Sequence, residues 1–254
     1  MLSTTELERA LAAAGLVAPV HFDEVTGSTN RTAWELAMAG TPEWTLVAAG
    51  HQTEGRGRVG RTWEDEPGSA LLLSFVLRPS FDSNHVGVLP LWAGAAMAVA
   101  IRDLGGPDVR CKWPNDLVLR NRKVGGILCE SSIEDERVRF AVVGIGVNLV
   151  APPLSMPLAE AIDADAGELL GAFIQRAADG YDRMSSGAEG ALAGAVATWG
   201  AISATLGRTI RVERPGAPTL EGHAEGVDRR GALIVLTSDG SRVAVTSGEV
   251  THLR

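Results

Sequence analysis

Four short segments of the chain combine charge with glycine in ways that suit a bound anion. Gly55-Arg56-Gly57-Arg58-Val59-Gly60-Arg61 sets glycines between arginines, and with Glu54 counted the cluster still carries +2. Glycines let backbone N–H groups converge on an oxyanion, while guanidinium groups supply the charge. It is not a Walker loop, since no Gly-Lys-Ser/Thr follows, nor a dinucleotide fingerprint, since no helix opens after it. Lys112-Trp113-Pro114-Asn115-Asp116 sets a proline, which cannot donate to a ladder, inside a strand-like run, so polar groups are presented at an interruption. Lys123-Val124-Gly125-Gly126-Ile127-Leu128 opens a strand with a cation and paired glycines, and Gly144-Ile145-Gly146-Val147-Asn148 repeats bare backbone where a ligand or another backbone must come close. Ser28-Thr29-Asn30 precedes a helix. Each segment taken singly also reads as a turn, a bulged strand or a helix cap.

Other chemistries find little support. The five histidines (His21, His51, His85, His223, His252) lack metal-ligand spacing, and no Ser/His/Asp order stands out. The two cysteines, Cys111 and Cys129, lie in apolar runs, which fits a reducing compartment and excludes a disulfide scaffold.

The elements that must carry these segments follow from periodicity. Residues 4–14 and 28–39 read as helices, 20–25 and 46–50 as strands. The polar run 52–68 reads as a long functional loop. Residues 70–77 form a buried strand, 89–104 a core helix, and 109–119, 123–131 and 138–149 three consecutive strands. Residues 168–184 and 192–206 are helical, the second through a stripe of Leu192, Val196, Trp199, Ile202 and Leu206. After residue 206 short β runs at 209–213, 220–227, 232–237 and 242–246 alternate with turns. Asp239-Gly240 marks a hairpin. This texture predicts a catalytic domain over 1–205 and a small β-barrel over 206–254.

The 254 residues carry net charge −8 with 45% hydrophobic and 21% charged residues, enough for a packed core. Such acidity argues against a protein built to grip phosphate backbones, so no nucleic-acid partner is expected. The apolar stretches 86–101, 140–159 and 190–207 contain breakers or small residues, so no membrane span is expected either. With no signal peptide at the start, a soluble cytoplasmic protein is the reading. Of the 23 basic residues, 21 are arginine, and the two lysines, Lys112 and Lys123, both fall inside the motifs. Coding bias explains the scarcity; the retained ammonium groups suggest sites that need a compact point charge.

In this order, Gly-Arg-Gly-Arg-x-Gly, Lys-Trp-Pro-Asn-Asp and Lys-x-Gly-Gly-Ile-Leu resemble the biotin protein ligases from His21 to Leu149, and more loosely to Thr246-Ser247-Gly248-Glu249-Val250. The resemblance implies an α+β fold, a mixed β-sheet with helices akin to class II aminoacyl-tRNA synthetases, plus the small C-terminal barrel. It implies ATP-dependent formation of biotinyl-5′-AMP and transfer of biotin to a lysine of a biotin carboxyl carrier protein, with ATP and biotin as substrates and magnesium as cofactor. Only about 20 residues precede the first strand, so the type without a DNA-binding segment is expected. By the same resemblance Ser28, Thr29, Asn30, Gln52, Arg56, Lys123, Gly125 and Gly126 hold biotin. Arg58, Trp63, Lys112, Asn115 and Asn148 hold the nucleotide, and Lys123, Arg56, Arg58 and Asp116 are catalytic. Val59 departs from a position that is often polar or basic in relatives. The alternatives are a lipoate or octanoate ligase or transferase and a non-catalytic biotin sensor; monomer and homodimer both stay open, as do the metal ligands.

Overall fold

The computed structural model describes residues 2–150, 152, 159–185 and 190–253, so much of the end of the 140–159 stretch lies outside the described residues. Seven strands form a mixed sheet: β1 (Val20–Asp23), β2 (Leu46–Ala49), β3 (Ala70–Leu77), β4 (Arg110–Lys112), β5 (Asp116–Leu119), β6 (Arg122–Glu134) and β7 (Arg137–Asn148). Their order is β1-β2-β3-β7-β6-β5-β4, with β1 and β2 parallel and the other pairs antiparallel.

Period-2 alternation assigns the two faces of this sheet different tasks. Leu71, Leu73, Phe75 and Leu77 of β3 and Ala141, Val143, Ile145 and Val147 of β7 point into the main core. There they meet α1 (Thr4–Ala13), α3 (Leu89–Asp103) and α4 (Ala166–Ser185), with α5 (Ala191–Ala201) behind α3. The intervening Val76, Phe140 and Val142 pack under α2 (Thr29–Met38), through Ala33 and Ala37. Along β7 this second face then changes character, from Phe140 and Val142 to Gly144 and Gly146. The sheet is covered by a helix at one end and left bare at the other. That bare end is the floor of the site.

Helix α3 with the turn before it (Ser83–Asp103) is long and apolar enough to cross a membrane by composition, but most of it is buried inside the protein. Eleven of its fifteen helical residues are buried, which is how a core helix reads.

Two expected elements differ. The run 109–119 is not one strand: Trp113-Pro114-Asn115 turns the chain, and β4 pairs back on β5 as a hairpin. The helix expected over 192–206 ends at Ala201, because the chain then bonds along β4. Cys111 N–H donates to Ile202 O, and Ala204 N–H donates to Cys111 O. These bonds cover an edge strand that would otherwise present unpaired backbone.

The C-terminal strands β8 (Thr209–Arg214), β9 (Ala217–Val227), β10 (Leu233–Leu236), β11 (Arg242–Val245) and β12 (Glu249–His252) form an antiparallel sheet in the order β11-β10-β9-β8-β12. Its two outer strands do not pair, so the expected barrel is not closed among the described residues. The sheet docks through Trp113, whose indole N–H donates to Gly231 O at 3.0 Å, and its Ile210, Val212, Leu233 and Val235 join the main core.

Candidate functional site

A cleft of about 240 Å³ opens over the bare end of the sheet. The N-terminus of α2 forms one wall. Asn30, 4% exposed, places its side chain where a Cβ on Gly144 would stand: the ideal Cβ lies 1.9 Å from Asn30 Oδ1. The amide Nδ2 donates to Leu128 O at 3.2 Å and to a Glu130 oxygen at 3.0 Å, and Ser74 Oγ donates to Oδ1 at 2.7 Å. Every polar atom of Asn30 is therefore used within the wall. Gln52 Oε1 accepts from Thr29 N–H at 2.8 Å and from Thr29 Oγ1 at 3.1 Å, which fixes the amide and leaves Nε2 with no partner among the described residues. Ser28 Oγ is buried, borders the same cleft and has no partner there either. The groups left open at this end, Ser28 Oγ and Gln52 Nε2, are neutral and fixed, and its one carboxylate, Glu130, is shared between Asn30 and Arg56.

The opposite end is cationic. Lys123 Nζ stands 2.6 Å from Asp116 Oδ1, across the β5–β6 pair. The arginines of the 52–68 loop each reach a different element. Arg56 pairs with Glu130 on β6 at 2.8 Å, Arg58 donates to Asn115 Oδ1 at 3.3 Å, and Arg61 pairs with Glu249 on β12 at 2.8 Å. Burial, and then the neighbouring charge of Arg61, lower the pKa of the Arg58 guanidinium. Trp63 lies against the sheet floor: an ideal Cβ on Gly146 would come within 2.6 Å of its ring.

The loop is fixed at its base and exposed at its tip. Thr53 N–H donates to Thr26 O, Glu54 N–H to Gly27 O, and Gly68 N–H to Gly50 O. His51 Nδ1 lies 2.8 Å from Asp65 Oδ2, a carboxylate whose pKa burial raises and the His51 hydrogen bond opposes. At the tip Val59 sits at φ 54° with 75% of its surface exposed, an uncomfortable conformation for a β-branched residue.

The cleft thus gathers Ser28, Thr29, Asn30, Gln52, Arg56, Arg58, Trp63, Asn115, Asp116, Lys123 and Gly126. Three expected residues lie outside it. Gly125 has the opposite side of the strand and packs against Gly146 O and Leu117. Asn148 is buried at the end of β7 and donates to Glu160 O at 3.0 Å. Lys112 sits on β4, opposite Asp116 in the hairpin. Sequence reasoning missed Ser74, Glu130 and Glu249. The lone hydroxyl in the apolar run Leu71–Leu77 was a usable signal for Ser74; Glu249 was named only within the loose match at 246–250, and Glu130 had no signal.

No three carboxylate, imidazole or thiol groups gather as a metal site among the described residues. Asp116 and Glu249, the cleft's acids near the cations, are both engaged by them. The expected magnesium therefore finds no ready-made cage, and the steps described below use only this chain's side chains.

The profile of the biotin/lipoate A/B protein ligase family matches residues 22–148, and that of the biotin protein ligase C terminal domain matches residues 205–253. The chain is 31% identical to the bifunctional ligase/repressor BirA of Bacillus subtilis over 254 residues, covering 94% of this chain and 76% of that protein. It is 33% identical to the biotin–[acetyl-CoA-carboxylase] ligase of Mycobacterium tuberculosis over 245 residues, covering 90% and 87%. The fold is similar to that of the Aquifex aeolicus biotin protein ligase solved with biotin and ATP, with a TM-score of 0.74 at 24% identity over 93% of this chain and 99% of that one. With relatives aligned along nearly all its length and a family profile over each of its two sheets, the chain belongs to the biotin protein ligase family.

Proposed function

We propose that the cleft joins biotin to ATP as biotinyl-5′-AMP, releasing pyrophosphate, and then passes the biotinyl group to a lysine of a biotin carboxyl carrier domain. The observation that carries this reading is the cleft's division into a neutral hydrogen-bonding end and a cationic end. Biotin has the same division, with an uncharged ureido ring at one end and a carboxylate at the other. Ser28 Oγ and Gln52 Nε2, the groups still without partners, suit the ring's N–H and carbonyl. An acid with a purely aliphatic tail, such as octanoate, would leave those groups unpaired on binding, and lipoate's dithiolane does little better.

In the first step a biotin carboxylate oxygen bonds to the α-phosphorus and the bond to pyrophosphate breaks. Two anions must meet, so the barrier is electrostatic and positional. Lys123, Arg56 and Arg58 supply the positive charge. Their counter-ions, Asp116 and Glu130, are released as the ligand anions take over. In the second step a neutral acceptor amine attacks the acyl carbonyl and AMP leaves. Asp116, freed from Lys123, accepts the amine's proton. Trp63 and Asn115 flank the nucleotide, and the 52–68 loop keeps water from the mixed anhydride. Adenylation of a carboxylate is also what the expected kinship with class II aminoacyl-tRNA synthetases would share. The division into a catalytic unit over 1–205 and a C-terminal unit over 206–254 and a reducing, cytoplasmic setting belong to the same proposal; two free cysteines support the latter.

Biotin-dependent ATP–pyrophosphate exchange tests the first step, and the same mixture with a carrier domain tests transfer. Exchange driven by lipoate or octanoate and not by biotin would replace biotin with that acid, and binding of biotin without exchange would leave a sensor.

A further inference from the structure

Outside the cleft, several surface arginines have acidic partners: Arg31 with Glu54, Arg102 with Asp108, Arg122 with Glu160, Arg176 with Asp103, Arg211 with Glu221 and Arg242 with Glu225. Among those with no such pair, three gather in one place. Arg110, Arg120 and Arg208 are exposed and line a single shallow groove of about 540 Å³ beside the β4–β5 hairpin. None of the three has an acidic partner among the described residues. The one acid in the groove, Asp108, is held by Arg102 at 3.3 Å.

The β4–β5 hairpin links the groove to the cleft. On β4, Arg110 and Lys112 share one face, because side chains alternate and Cys111 between them is buried. Lys112 lies opposite Asp116 and Arg110 opposite Val118, and Arg120 follows at the turn between β5 and β6. Positive charge therefore runs from Asp116 through Lys112 and Arg110 to Arg120, about 7 Å for every two residues. Arg208 joins from the start of the C-terminal sheet, and its charge and that of Lys112 both bear on His252. Burial first, and then these two charges, lower the pKa of that imidazole to about 4. In a chain of net −8, four neighbouring cations with no acidic partner among the described residues are a local reversal of the protein's field.

The geometry points to this strip as the docking surface for an acidic face of the acceptor protein, whose target lysine then enters the cleft past Asp116. This rests on the ligase reading above and adds where the protein substrate sits. A docked partner of that charge would satisfy the arginines and place its amine beside the group that takes the proton. It also gains from steering, since opposed patches raise the encounter rate.

The test is the triple variant Arg110→Glu/Arg120→Glu/Arg208→Glu, with the corresponding triple alanine variant as a milder form. All three residues are exposed, so both should melt within a few degrees of wild type. Biotin-dependent ATP–pyrophosphate exchange should be unchanged in both. The kcat/KM for transfer to a carrier domain should fall about 10-fold or more in the glutamate variant at low ionic strength, mainly through KM. At 0.5 M salt the gap between variant and wild type should close. Wild-type kcat/KM for transfer in the triple glutamate variant overturns the proposal. So does a loss of transfer matched by an equal loss of exchange, and so does a loss of binding to a DNA oligonucleotide with transfer intact. Absence of exchange in the wild type instead sinks the ligase reading itself.

Discussion

Gly144 and Gly146 lie two residues apart on one strand face, and each has a side chain standing where its Cβ would go. An alanine at either position should nevertheless have a different effect. At Gly144 the obstacle is Asn30 Oδ1, 1.9 Å from the ideal Cβ, on a side chain that is 4% exposed and bonded to Ser74, Leu128 and Glu130. Asn30 cannot swing to water, so it must give up some of these bonds inside the protein. Each buried group left unpaired costs about 1–3 kcal/mol, against about 0.4–1 kcal/mol gained from a stiffer unfolded chain. A net loss of about 3 kcal/mol lowers the melting temperature by about 6–12 °C in a chain of this size. At Gly146 the obstacle is the Trp63 ring, on a loop, with its indole N–H unpartnered. Gly146→Ala should push the ring aside and leave the melting temperature within about 2 °C. Calorimetry with tryptophan fluorescence and biotin titration separates the two. Gly144→Ala should melt early and bind biotin weakly; Gly146→Ala should melt normally, with altered indole emission and faster loss of bound adenylate. Equal melting temperatures for both variants, or the larger drop at Gly146, would refute this account of the floor.

Lys123→Ala should reduce biotin-dependent exchange by about 10²–10³-fold, the usual cost of one charge-stabilising donor, while the fold survives; near-normal pyrophosphate release would count against the role given to Lys123. Glu249→Ala removes the partner of Arg61 and should speed adenylate release several-fold at low salt, an effect that 0.5 M salt erases. His252 has its pKa pushed down to about 4, by burial first and then by Lys112 and Arg208, from about 6.5. The unfolded chain takes up this proton first, so stability should fall as pH drops from about 6.5 to about 4 and then level off. His252→Gln should flatten that segment in urea midpoints measured at pH 7 and pH 4.5. With only two lysines, the wild type should acquire little biotin on itself during adenylate synthesis, and several surface Arg→Lys changes should raise this label in a mass spectrum.

The sequence was most informative where one strand or helix decides the outcome. Ala70–Leu77 is a strand with the expected bounds because eight buried residues leave no ambiguity of face. The paired glycines at 144 and 146 announced bare backbone, and it is there. The run 109–119 misled as a single strand: Pro114 reads from sequence either as an interruption of a strand or as an ordinary turn, and it is the turn of the β4–β5 hairpin. Gly125 and Gly126 show the limit of motif reasoning: adjacent residues in a strand face opposite ways, so only one of them borders the cleft. Glu130 and Glu249 were illegible for another reason. Their meaning depends on Arg56 and Arg61, which are 74 and 188 residues away, and only the assembled fold brings them together.

The three loop arginines are moored to three separate pieces of scaffold, each by polar contacts near the surface. Arg56 and Arg61 keep about half of their side-chain surface in water. A tie of that kind holds with about 0–1 kcal/mol, little more than thermal energy. In the proposed reaction the roof over the mixed anhydride is thus a gate with several light catches: firm while substrate charge sits beneath it, and free to lift once that charge has gone. Turnover then depends on the leaving anion to unlock the exit, and the ionic strength around the enzyme sets how readily the gate swings.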